Sequence, residues 1–156
     1  MNQSLQLALL GAAAGAAGTT ALNAVSYVDM ALRGRPTSST PEKTVEALAD
    51  KTGIPVPGDE DAEQNRVSGL GPLTGLIAGV GIGGLLGLAR SAGWRPGLAT
   101  STAAATVGAL VGTNGPMTLL GVTDPRTWPA KSWVVDIVPH FAYGAVTAAV
   151  LERLDH

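Results

Sequence analysis

A chain of 156 residues with a net charge of -2 has room for one domain, and it carries no basic tract to hold nucleic-acid phosphates, so no nucleic-acid partner is expected. Cysteine is absent, which excludes disulfides, thiolate metal sites, iron–sulfur clusters and thiol nucleophiles. Only 14% of the residues are charged, against about 25% in soluble domains, and they cluster so that long stretches carry none.

The first such stretch runs from Met1 to Val28, and its segment 5–27 is long enough to cross the roughly 30 Å hydrocarbon core of a bilayer. No Lys or Arg precedes it, and it exceeds the about 7–15 apolar residues of a secretory leader, so a retained span is expected. Gly11, Gly15 and Gly18 give it a small-residue face, Asn23 is an internal polar group, and Tyr27 and Asp29 fall at its end.

Residues 33–66 form a polar loop. Thr40 can cap a helix with Pro41 at the first position, where its missing N–H is harmless. Val45, Leu48 and Ala49 share one face, and Gly53 is a stop, so one short amphipathic extramembrane helix is predicted over 41–51. It either covers the mouth of a bundle or lies at the membrane surface, with a partner-docking site as the sharper alternative. Beyond it, Ile54 to Gly58 is expected to be extended and Asp59 to Glu63 to be a solvated acidic stretch.

Three further uncharged or nearly uncharged runs follow, giving predicted spans at 68–89, 98–120 and 132–151. The third span contains Asn114-Gly115-Pro116, a natural helix break. Trp94, Trp128 and Trp133 all sit near predicted span ends, where indole favours the headgroup region. Loops 33–66 and 124–131 hold most of the Lys and Arg, which places them in the cytoplasm by the positive-inside rule and makes the chain multi-pass.

Span two carries Gly71, Gly75, Gly79, Gly83 and Gly87, spaced by four, so the stripe winds slowly around the helix and lets a partner backbone approach closely. Gly108 and Gly112 in span three and Gly144 in span four offer matching small faces. The fold class expected is all-α: a single membrane domain over 1–156, a four-helix bundle with glycine-zipper packing. A soluble bundle is disfavoured, because each glycine destabilises a water-exposed helix by about 1 kcal/mol. A leftover glycine face could instead support a homo-oligomer or a membrane-protein partner.

The chemistry-bearing residues converge on span four. Asp136 and His140, four apart, share a helix face with Tyr143 near by, and Pro139 denies the Val135 carbonyl its helical donor. Ionisable groups within a span mark a candidate site, and Asn23 and Asn114 could join it by bonds between helices. Asp136 could accept from one ring nitrogen of His140. Three readings stay open: a structural polar clasp, proton or ion handling, and catalysis or metal binding. One His and one Asp are too few to define a metal site, and no catalytic motif is present, so neither metal nor cofactor nor catalytic residue is expected. The run Gly79 to Gly84 lies inside a span and is explained by packing.

The Gly/Ala-rich first span running through Asn23, Tyr27 and Asp29 into Arg33-Gly34-Arg35-Pro36 resembles a set of uncharacterised small polytopic membrane proteins of high-GC bacteria. The pattern Trp133, Asp136, His140, Tyr143 and Gly144 is similar to that of the YagU-like inner-membrane family. The resemblance implies a bacterial inner-membrane location and a connection with acid tolerance. The function expected is a non-enzymatic structural, accessory or stress-related one, with a small proton- or ion-handling transporter or channel as the alternative.

Overall fold

The structure, a computed structural model, describes residues 2–155. It has five α-helices and, among the described residues, no strand: α1 (Gln3–Arg33), α2 (Thr40–Thr52), α3 (Glu60–Ser91), α4 (Leu98–Leu119) and α5 (Ala130–Leu154), with a 3-10 turn at Pro125–Thr127. Three of them, α1, α3 and α5, are long and apolar enough to cross a membrane. Four had been expected. α4 has 22 residues and no charged side chain, but its hydroxyls and the Asn114 amide leave it outside that set.

Local chemistry explains where the helices depart from the predicted bounds. α3 begins at Glu60 instead of 68 because Asp59 caps it, accepting from the Ala62 N–H at 3.0 Å, and Glu60, Asp61 and Glu63 occupy the first turn, where the helix dipole favours negative charge. The acidic stretch read as solvated coil is therefore a helix start. α2 begins at Thr40, so Thr40 is not its cap; Ser39 takes that position without a side-chain bond, and Gly53 ends the helix at φ 69°. Of its predicted apolar face, Leu48 stays 51% exposed. Asn114-Gly115-Pro116 does not break α4. Pro116 removes only the donor for the Gly112 carbonyl, and the Leu120 N–H bonds to the Pro116 carbonyl at 2.9 Å one turn later.

α1 packs along α3 and α5, α4 packs on α5 and more lightly on α3, and α2 rests on α3. The interior is built from small residues. Gly11, Ala14, Gly15, Gly18, Gly79, Gly83, Gly87, Ala105, Gly144 and Ala148 are buried, whereas Leu9, Ile77, Leu85, Val107, Val111, Val138 and Phe141 point outward. A water-soluble bundle buries its large apolar side chains and exposes its small and polar ones. This chain does the reverse around its middle.

The small residues act through backbone approach. A Cβ on Gly83 would strike the Gly11 carbonyl and lie 2.7 Å from the Gly15 Cα; one on Gly15 would strike the Gly79 carbonyl; one on Gly87, the Leu7 carbonyl. Gly144 meets α4 in the same way, its Cβ position lying 2.7 Å from the Thr102 carbonyl oxygen. Other glycines of the predicted zipper do less. Gly71 faces the start of α2, where a Cβ would lie 3.0 Å from the Glu42 nitrogen, while one on Gly108 or Gly112 would meet only the Ile82 side chain. Gly75 meets nothing within 4 Å, so it is not a packing residue. It lies where α3 lines the cavity, so no helix faces it closely.

The end of the bundle remote from α2 is fastened by charge. Arg90 and Arg95 both bond to Asp155, Arg90 at 3.1 Å, and the Arg90 and Asp155 side chains are 9% and 8% exposed.

Candidate functional site

Asp136, His140 and Tyr143 line one cavity of about 670 Å³, together with Asn23, Asn114 and Thr113. Its walls run along α1 from Thr19 to Arg33, along α3 from Gly71 to Gly79, along α4 from Ala109 to Met117 and along α5 from Lys131 to Tyr143. The cavity thus occupies only the half of the bundle nearest α2. Its rim carries Arg33, Arg35, Pro41, Glu42, Trp128 and Lys131. α2 lies across this end, with Lys51 Nζ donating to the Leu119 carbonyl at 3.1 Å.

The floor is a layer around Tyr143, which is 1% exposed and donates its hydroxyl to the Gly79 carbonyl at 2.6 Å. Gly79 makes room for it, since a Cβ there would lie 3.3 Å from the Tyr143 ring and strike the Thr19 hydroxyl. Leu22, Ile82 and Leu86 pack against Tyr143, Ala105 and Ala109 to complete the layer. Below it the α1 and α3 backbones are in contact, so the cavity is closed at its inner end. Tyr143→Phe removes one buried hydrogen bond without a change of shape. We expect a loss of about 1 kcal/mol, read as a lower midpoint of unfolding in detergent.

The wall chemistry centres on α5. His140 Nδ1 lies 2.7 Å from the Asp136 backbone carbonyl and 3.5 Å from its carboxylate. A carbonyl only accepts, so Nδ1 carries hydrogen and the carboxylate is not the first partner of the ring. Asp136 Oδ2 instead accepts from Asn114 Nδ2 at 2.8 Å, across the α4–α5 seam. His140 Nε2 is 3.3 Å from Thr113 Oγ1, which is also 2.9 Å from the Ala109 carbonyl. Two proton arrangements satisfy this set. With a neutral ring, the Thr113 hydroxyl donates to Nε2; with a charged ring, Nε2 donates to Thr113, whose hydrogen turns to Ala109. Pro139 leaves the Val135 carbonyl without a helical donor, and both residues line the cavity.

Asn23 is a correction. It is exposed to the cavity and makes no side-chain hydrogen bond among the described residues, so it does not tie α1 to another helix. Thr113, Thr19 and Glu42 were missed. The hydroxyls give no signal because threonine is common in such helices, and Glu42 falls outside the apolar face formed by Val45, Leu48 and Ala49. Its Oε2 is buried and has no hydrogen-bond partner.

At the rim, Asp29 pairs with Arg35 and, at 3.1 Å, with Arg33. The bond from Arg35, with help from the Arg33 charge, holds the Asp29 carboxyl below its ordinary 3.8. The folded state therefore binds this proton less readily than the unfolded chain. The stabilisation is complete above 3.8 and is lost as pH falls through the lowered value. An NMR titration is expected to place the Asp29 midpoint under 3.8, and Asp29→Asn to remove that part of the acid dependence of unfolding.

No protein-family profile, curated protein or solved structure matches the chain.

Proposed function

We propose that the chain is an integral membrane protein, a glycine-zipped bundle of four spans in a bacterial inner membrane, which holds a small ligand in a one-ended cavity and carries out no covalent chemistry. The observation that carries this reading is the combination of a half-open, mixed polar and apolar cavity of about 670 Å³ with a sealed inner half. That volume lies within the roughly 300–1,000 Å³ of small-molecule sites. α4 counts as the fourth span on this reading, because it is uncharged, lies between α3 and α5, and is 22 residues long. The hydroxyls of Thr106, Thr113 and Thr118 bond back to carbonyls of the same helix, Thr106 to Thr102 at 2.8 Å, so these three donors are paired without water. The resemblance to small inner-membrane proteins supports the location, and the Lys and Arg content of loops 33–66 and 124–131 supports a cytoplasmic mouth.

A second reading, proton or ion transport through Asp136 and His140, has the contact of that pair with the cavity in its favour. It requires the Tyr143 layer and the α1–α3 backbone contacts to part. Flux across proteoliposomes separates the two. We expect no proton or alkali-cation flux above that of protein-free vesicles across pH 5–8; flux abolished by Asp136→Asn or His140→Ala would replace binding with transport.

A further inference from the structure

Resting on the cavity reading above, we infer that the ligand is an organic ammonium ion with an apolar body. The cavity lining holds two carboxylates with no Lys or Arg partner among the described residues, the base beside Asp136 being His140, whose Nδ1 lies 3.5 Å from the carboxylate. Asp136 has a 21% exposed side chain, accepts from the neutral Asn114 amide, and has no Lys or Arg within ion-pair distance among the described residues. Glu42 adds a buried oxygen with no donor at all. An uncompensated carboxylate in a low-dielectric wall is unfavourable, and a cation that enters relieves it.

The neighbouring bases do not serve. Arg33 and Arg35 are both engaged by Asp29. Lys131 precedes Asp136 on α5 by about 7 Å of helix rise, toward the rim. The bases thus stand at the mouth, where Glu42 also lies, and Asp136 sits deeper in. His140 turns Nδ1 to a carbonyl and Nε2 to Thr113, so its ring lends the carboxylate no direct hydrogen bond.

The type of cation follows from what surrounds the acids. Among the described residues no three His, Asp or Glu side chains gather as metal ligands, and an inorganic dication would stay short of donors. An ammonium needs only one or two acceptors for its N–H groups. The Val135 carbonyl freed by Pro139 is a further acceptor on the same helix as Asp136. Leu22, Met30, Leu76 and Met117 supply apolar wall that suits an alkyl or aryl body.

The test uses three ligands of one shape, 4-phenylbutylammonium, 4-phenylbutanol and 4-phenylbutyrate, titrated calorimetrically into the full chain in nanodiscs of zwitterionic lipid at pH 7. The ammonium is expected to bind saturably and at least about 10-fold more tightly than the other two. Asp136→Asn, which keeps the Asn114 bond, is expected to weaken it about 10-fold, and Glu42→Gln to weaken it as well, while Glu152→Gln, away from the cavity, leaves it unchanged. Tighter binding of the alcohol or the butyrate retains the cavity and overturns the ligand class. Binding of none of the three overturns both, and ammonium binding indifferent to both cavity substitutions overturns the site.

Discussion

Gly83→Leu is expected to unfold the helix pair on which everything else is built. At Gly83 the neighbours are the Gly11 carbonyl and the Gly15 Cα and nitrogen, the latter two 2.7 Å from a Cβ position. These are main-chain atoms of a continuous helix and cannot rotate aside. Overpacking in a core ordinarily destabilises by about 1–3 kcal/mol; with backbone as the obstacle we expect at least about 3 kcal/mol, read as a shift in dodecyl-sulfate unfolding of detergent-solubilised protein. Gly83→Ala is expected to fall in the same direction. Gly75→Ala, in the same sequence stripe but with nothing within 4 Å, is expected to leave the midpoint unchanged. Equal effects at the two positions would mean that α1 and α3 do not meet along Gly11, Gly15, Gly79, Gly83 and Gly87.

The second large effect is expected at the opposite end. Asp155→Ala leaves Arg90, with its side chain 9% exposed, without its carboxylate. Breaking one side of a buried pair typically destabilises by about 3–5 kcal/mol, because the remaining charge is stranded. We expect about 3 kcal/mol here, at the low end, since Arg95 is half exposed beside the pair. Arg95→Ala, the exposed member, is expected to change stability by under about 1 kcal/mol. Adding Arg90→Met to Asp155→Ala is expected to recover most of the loss, because the stranded charge goes with it. The readout is the same unfolding midpoint, measured for all four proteins.

How far the sequence disclosed this depends on which force decided each feature. Hydrophobic length is local, so α1, α3 and α5 were legible as uncharged runs. Their ends were not, because a cap such as Asp59 and an acidic first turn extend a helix well past the apolar stretch. The glycine pattern identified the close-packed helix but treated Gly75 and Gly83 alike; only the crossing with α1 tells them apart. At the site, Asp136 and His140 stood out as ionisable groups in an apolar run. The bond from Asn114 to Asp136 depends on how α4 and α5 face each other, and so does the choice of a carbonyl over the carboxylate by His140. The cavity had no sequence signal, since it is a gap between elements. Pro116 reads as a helix break in the sequence, yet it and Pro139 each remove one donor from a helix that stays continuous.

Because the chain has no cysteine, single cysteines can report directly on what surrounds each face. Val107→Cys and Ile77→Cys occupy positions 57% and 63% exposed on the outer surface, whereas Ser26→Cys lines the cavity. Labelling of native membranes with a charged, water-soluble maleimide is predicted to modify Ser26→Cys and to spare Val107→Cys and Ile77→Cys, whose surroundings are acyl chains. Rapid modification of Val107→Cys and Ile77→Cys in the folded protein would show that this apolar belt is wetted, and the chain would not be a membrane-spanning bundle.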